Sequence, residues 1–346
     1  VTALDVPAAP RAAKEVFDLV GRALATTDDV VLLAHTTPDG DALGSSLAVA
    51  HALRRLGHRP RVSWGDEPFR VPRPLRSLPG AAPADGLVVA PAELAVTERT
   101  LVLVFDCASG DRLGVLRPVL ERAALTVAFD HHASHVPFTS ERVVDAAAPA
   151  TAAIAYDLVR NLGVDLTPEI ATCLYAGLVT DTGSFRFSNT TPDTLRLAAR
   201  LLDTGVRHAE LARTLMEDVP GALLPVLGAA LQSVALDPAA LGGAGLVTAV
   251  VPADARRPSG LSVDEVHPVL DVVRRAEEAD VACVVYEGEP GRWRVSLRSK
   301  GAVDVARAAV SLGGGGHRAA AGLSAAGEAH EVLAQVRRAL EASAAS

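Results

Sequence analysis

An apolar run, Val30 to Ala34, leads directly into His35-Thr36-Thr37-Pro38-Asp39-Gly40-Asp41. This junction constrains the chain more than any other stretch. The run reads as a short buried β-strand, and Ala42 to Leu56 reads as a helix. The loop between them sits at the carboxyl end of a strand, where open α/β sheets hold their ligands. One imidazole and two carboxylates on one tight loop suit a divalent metal. Asp39 reads equally well as a helix cap in a polar turn, so the choice depends on the rest of the chain.

The same arrangement recurs. Leu101 to Phe105 is an apolar strand that ends at Asp106, and Leu125 to Phe129 is another that ends at Asp130-His131-His132. Strands alternating with helical stretches imply a parallel sheet with crossover helices, and in such a sheet the three polar ends lie along one edge. Any one Asp there can be a turn residue; three such ends together favour a metal site. Helices are expected at 11–25, with Val16, Leu19, Val20 and Leu24 on one face, and at 151–163 and 168–180, the last opened by Thr167-Pro168. Asp181 stands where that helix breaks, as a turn residue or as a further carboxylate ligand. Arg61 to Trp64 reads as a strand, 65–85 as irregular surface, and Phe185, Phe187 and Asn189 as an exposed strand. Helices are expected at 192–204 and 207–217, and Gly221 to Asp237 reads as apolar and helical.

From there the pattern changes. Leu246 to Val251, Asp280 to Tyr286 and Arg292 to Arg298 read as strands, with helices at 303–311 and 327–343. The fold class is therefore α/β: a parallel-sheet domain over 1–205, a helical linker over 206–225, and a smaller α/β domain over 226–346. The smaller domain carries Val295-Ser296-Leu297-Arg298-Ser299 and the run Gly313-Gly314-Gly315-Gly316-His317-Arg318. Consecutive glycines expose backbone N–H groups that can hold a phosphate, to which His317 and Arg318 would add donors; a flexible loop before a strand is the plain alternative.

Apolar residues make up 49% of the 346 and charged residues 21%, enough for packed cores. The net charge of −8 argues against a broad hold on long nucleic acid. Cys107, Cys173 and Cys283 form no C-x-x-C pair and read as free thiols of a reducing, cytoplasmic compartment. Asp5, Lys14 and Glu15 leave no signal-peptide core, and no stretch of about 20 apolar residues lacks charges or breakers.

Taken together, these motifs resemble the DHH phosphoesterase superfamily over almost the whole chain. His35-x-x-x-Asp39-x-Asp41, Asp106, Asp130-His131-His132 and Asp181 look like the four motifs of its catalytic domain; Gly313 to Gly322 with Val295 to Ser299 looks like its DHH-associated C-terminal domain. The chain is most similar to the compact nanoRNase and pAp-phosphatase type (NrnA-type). The resemblance implies two Mn²⁺ ions, with Mg²⁺ or Co²⁺ as substitutes. One would be held by His35, Asp39 and Asp106, the other by Asp41, Asp106, His131 and Asp181, with Asp106 bridging. Asp130 would orient an imidazole and His132 would face the reacting phosphate, which makes Asp106, Asp130 and His132 the catalytic candidates. Ser296, Arg298, Ser299, Gly314, Gly315, Gly316, His317 and Arg318 would bind substrate across a cleft between the domains.

The substrates so implied are short oligoribonucleotides of 2–5 nucleotides, hydrolysed to mononucleotides, and 3′-phosphoadenosine 5′-phosphate (pAp), with no long nucleic acid and no membrane as partner. A homodimer is compatible with the resemblance. Linear or cyclic dinucleotide messengers form the alternative substrate class. Inorganic pyrophosphatases of the superfamily share the metal motifs but lack the Gly-Gly-Gly-Gly-His pattern, and RecJ-type exonucleases are longer. A non-catalytic nucleotide sensor would tolerate loss of metal ligands, and none is missing here.

Overall fold

A computed structural model describes residues 11–27 and 29–344, with the side chain of His317 outside that description. Part of the stretch behind the signal-peptide reading, including Asp5, also lies outside it. The chain forms two units, the first running to Asp218 and the second starting at Val219.

The first unit opens with α1 (Ala13–Leu24), which buries Val16, Phe17, Val20 and Leu24. Then come β1 (Asp29–Leu33), α2 (Gly40–Arg55), β2 (Pro60–Ser63), β3 (Thr100–Phe105), β4 (Leu125–Asp130) and β5 (Glu141–Val144). The strands form one all-parallel sheet in the order β2-β1-β3-β4-β5. Strands of such a sheet are covered on both faces and read as continuous apolar runs. Alternate residues divide between two cores: Leu32, Leu103 and Phe129 pack towards the helices, while Leu33, Val104 and Ala128 pack against Leu113, Leu116 and Leu120 of the kinked 3₁₀ segment Gly110–Arg122.

The helical layer is α2 with α3 (Thr151–Asn161), α4 (Pro168–Asp181), α5 (Pro192–Leu202) and α6 (His208–Met216). Thr167 caps α4, its hydroxyl accepting from Ile170 N–H, with Pro168 at the first position. A Cβ on Gly44 of α2 would lie 2.4 Å from the Cys173 carbonyl oxygen of α4. That contact is backbone and cannot swing away. Gly44→Ala should therefore cost about 1–3 kcal/mol as overpacking, read as a lower urea midpoint with an unchanged m-value; no shift would mean that the two helices separate freely.

Three expectations need correction. Phe185, Phe187 and Asn189 are not a strand: Gly183, Ser184 and Phe185 all have positive φ, and the segment is a chain of turns. The 65–85 segment is irregular but not merely surface, because Leu75, Leu78 and Ala81 are buried in the core. Gly221–Asp237 is only partly helical, as Ala235–Asp237 is a strand.

The second unit holds α7 (Leu223–Gln232), β6 (Ala235–Asp237), the one-turn α8 (Ala240–Gly243), β7 (Leu246–Val251), α9 (Ala253–Arg256), α10 (Pro268–Val273), β8 (Val281–Glu287), β9 (Arg292–Ser299), α11 (Val305–Ser311), β10 (Gly315–His317), β11 (Ala320–Ala326) and α12 (Ala329–Ala344). Its sheet is mixed, in the order β10-β11-β9-β8-β7-β6. One face packs Val295, Leu297 and Leu323 against α11 and α12. The other packs Ala249, Val284 and Tyr286 against α7 and α10. Among the described residues no helix is long and apolar enough to cross a membrane, and the three cysteines are free and buried.

Candidate metal centre

The strand order sets the site. β1, β3 and β4 are neighbours, so their carboxyl ends deliver His35, Asp106 and Asp130 to one edge. Asp39 caps α2, its Oδ1 accepting from the N–H groups of Asp41 and Ala42 at 3.0 Å each. The cap and ligand readings of Asp39 are thus compatible, since its Oδ2 lies 3.9 Å from His35 Nε2. Asp41 follows in the first helical turn and is fully buried. It accepts from Thr151 N–H at 2.6 Å and Ala152 N–H at 2.8 Å. Those are N-terminal donors of α3, which suit a carboxylate.

Asp106 sits between two groups of donors. Its φ of 56° is left-handed, a conformation Asp tolerates better than most residues. One oxygen lies 3.7 Å from His35 Nε2, and the other lies 3.6 Å from His131 Nε2 and 2.9 Å from the donating Thr151 hydroxyl. His131 Nε2 is also 3.0 Å from Asp181 Oδ2 and 4.0 Å from Asp41 Oδ2. The ligand atoms of His35, Asp39 and Asp106 lie within 4.8 Å of one another, as do those of Asp41, His131 and Asp181. All six residues named as metal ligands from the sequence are therefore brought together.

These donors fit divalent cations. They are imidazoles and carboxylates with no thiolate, the set that suits Mn²⁺, Mg²⁺ and related ions. Their electrostatics carry the same message. Burial first, and then the neighbouring carboxylates, push the Asp41 carboxyl well up and that of Asp106 up to about 7. Carboxylates crowded this closely need positive charge to remain ionised together. Burial would depress the His131 imidazole, but the Asp181 hydrogen bond and the surrounding carboxylates raise it to about 10. Burial pushes His35 down.

The outer contacts are specific. His131 Nδ1 faces the Ala148 carbonyl at 3.3 Å, which directs Nε2 to the donor cluster. Asp130, fully buried, takes His132 Nδ1 at 2.6 Å, so the imidazole it orients is that of His132. Asn189 ties the Asp181 and Pro149 carbonyls through its amide nitrogen at 3.1 and 2.9 Å. Several neighbours escaped the sequence reading. Asp66, after β2, accepts from Thr37 N–H. The exposed Arg112 brings Nη2 to 2.9 Å from His35 Nδ1, which also lies 2.7 Å from the Thr36 carbonyl. His135 faces Asp130.

Residues 29–178 match the DHH family, N-terminal domain, and residues 243–345 match the DHHA1 domain. The chain is 38% identical over 94% of its length, and 95% of the relative's, to the bifunctional oligoribonuclease and PAP phosphatase NrnA of Thermus thermophilus. The chain belongs to the DHH family. It is 28% identical to the protein of the same name from Bacillus subtilis, over 88% of this chain and 91% of that one. An exopolyphosphatase-related protein of Bacteroides fragilis shares the fold at a TM-score of 0.86, with 20% identity, over 96% of this chain and 97% of that one.

In this DHH-family chain the remaining expected site residues lie on or beside the mixed sheet of the second unit. Register sets Gly315, Gly322 and Ser296 abreast in one cross-strand row, and His317, Ala320 and Arg298 two rows along. The glycine run is not a free nest of N–H groups. Gly313 and Gly314 donate to the Val310 and Ala309 carbonyls and close α11, and Gly315 and Gly316 belong to β10. A Cβ on Gly314 would lie 2.4 Å from the Gly322 carbonyl oxygen, so bareness here serves packing. Ser299 is occupied structurally, its hydroxyl donating to Asp280 at 2.7 Å. Arg318 is exposed in the turn between β10 and β11, its Nη2 donating to the Gly301 carbonyl at 3.4 Å.

Proposed function

We propose that the chain is a two-metal phosphoesterase that hydrolyses oligoribonucleotides of 2–5 nucleotides to mononucleotides and dephosphorylates pAp to AMP. The observation that carries this is Asp106, whose two oxygens face two separate donor groups, His35 with Asp39 and His131 with its carboxylates. Support comes also from the Thermus relative, named for both activities and alike over nearly the whole of both chains. Two Mn²⁺ ions held by these residues would supply Lewis acidity towards the phosphoryl oxygens and lower the pKa of the attacking water.

The chain's own residues do the rest. Asp106, with Asp39 on one side and Asp41 and Asp181 on the other, would hold the cations. His132, with Nδ1 committed to Asp130, turns its other nitrogen to the reacting phosphate or the leaving oxygen. Arg112, an exposed guanidinium beside His35, meets a phosphoryl oxygen at the rim. Ser296, Arg298, His317 and Arg318 are the candidate substrate contacts on the second unit.

The test is direct. Purified protein with Mn²⁺ should release mononucleotides from a dinucleotide, and AMP with phosphate from pAp. Hydrolysis of pyrophosphate alone would replace this reading. Arg298→Ala should raise KM for the dinucleotide about tenfold or more with kcat little changed, since its role is binding; an unchanged KM removes Arg298 from the substrate contacts.

A further inference from the structure

We propose that His135 is a positioning residue for His132, acting through Asp130; the inference rests on the phosphoesterase reading only for its effect on turnover. Asp130 lies at the end of β4, fully buried, and its two oxygens serve two imidazoles. Oδ1 lies 2.6 Å from His132 Nδ1 and 3.3 Å from the donating His132 N–H. Oδ2 lies 2.6 Å from His135 Nδ1. A carboxylate held by one partner alone could rotate and offer His132 either oxygen. Held at both oxygens, it offers one.

The His135 ring is locked in its turn. Its side chain is 4% exposed, and its ring centroid lies 5.6 Å from that of Phe138. The backbone is tied on both sides, by His135 N–H to the His132 carbonyl and Val136 N–H to the Ala108 carbonyl of the loop after β3. Its Nε2 is buried with no partner among the described residues. An unpaired N–H there would be costly, so Nδ1 carries the proton and gives it to Asp130. This fixes the chain of donation: His135 to Asp130, and His132 Nδ1 to the same carboxylate. The other His132 nitrogen is thereby the one presented to the site. A histidine whose remaining nitrogen is left unpaired in a buried place is a poor choice for stability alone, so its Nδ1 donor is the feature being used.

The experiment compares His135→Leu with His135→Asn. Leucine removes the donor, and the asparagine amide can place a nitrogen where Nδ1 sits. In metal-free protein, at a pH where the His132 ring is neutral, nitrogen-15 NMR of the histidine rings should report a single His132 tautomer with Nδ1 protonated in the parent and in His135→Asn, and a mixture in His135→Leu. With Mn²⁺ and a dinucleotide, kcat should fall about 10–100-fold in His135→Leu, with KM and Mn²⁺ affinity within twofold and most of kcat restored in His135→Asn. A unique His132 tautomer and unchanged kcat in His135→Leu would overturn the proposal. So would equal losses in both variants accompanied by loss of Mn²⁺ affinity, which would make His135 a packing residue. If the parent hydrolyses no phosphoester, the functional reading fails, and the tautomer comparison still decides the positioning role.

Discussion

Asp106→Asn should lose turnover by at least about a thousandfold while remaining folded. Asparagine keeps the shape and tolerates the left-handed φ of 56°, so the backbone is not at stake. One of its terminal atoms becomes an amide nitrogen that cannot ligate a cation, and one of the two donor groups loses its share of the carboxylate. The change should appear in kcat rather than KM, because the lost contribution belongs to the reacting phosphate. Thermal unfolding supplies the control. The buried Asp106 charge is unfavourable without a cation, its carboxyl being pushed up to about 7 by burial and then by Asp39 and Asp181. Metal-free Asp106→Asn should therefore melt no lower than the parent at about pH 8, and its stabilisation by Mn²⁺ should be smaller. Near-normal turnover would remove the bridging role.

Manganese should raise the melting temperature more at about pH 8.5 than at about pH 6. Two groups set the sign. Asp106 has a folded pKa of about 7, above an unfolded value of about 3.9. The stability linked to its proton is complete below about pH 3.9 and is lost as pH rises through about 7. His131 is raised to about 10 from its ordinary value of 6.5, so its contribution is lost between about 6.5 and 10. Metal-free protein therefore weakens with rising pH across both windows. A cation must displace these protons, so its affinity grows with pH, by about tenfold per unit for each proton displaced. A manganese increment independent of pH between about 6 and 8.5 would contradict this placement of the cations. On the acid side the sign reverses for Asp130. Burial opposes its ionisation, but the His132 and His135 hydrogen bonds hold its carboxyl below the usual range. Its stabilising effect is lost as pH falls below about 4.

The sequence was most legible where a side-chain pattern and a chemical residue coincided. β1, β3 and β4 are apolar runs that stop at an ionisable residue, and all three lie side by side in the sheet. β5 was invisible because Glu141–Val144 is short and half polar. β11 entered only as a strand following the glycine run, because Ala320–Ala326, rich in alanine and glycine, has weak strand propensity. The alternation of Phe185, Phe187 and Asn189 imitated a strand where three successive left-handed residues make turns. The supports of the site were hidden for another reason. The N–H groups of Thr151 and Ala152 that hold Asp41 are backbone, and backbone has no sequence signature. Arg112 and His135 become meaningful only once the strand ends meet, though His135 lies only five residues beyond Asp130.

The central claim is that separated segments converge on a pair of divalent cations that drive phosphoester hydrolysis. It is tested most directly by stripping the protein of metal and titrating Mn²⁺ back while following dinucleotide hydrolysis. Activity should be absent without metal and return in full at two ions per chain. Hydrolysis at full rate after stripping, or saturation at a single ion, would contradict the account.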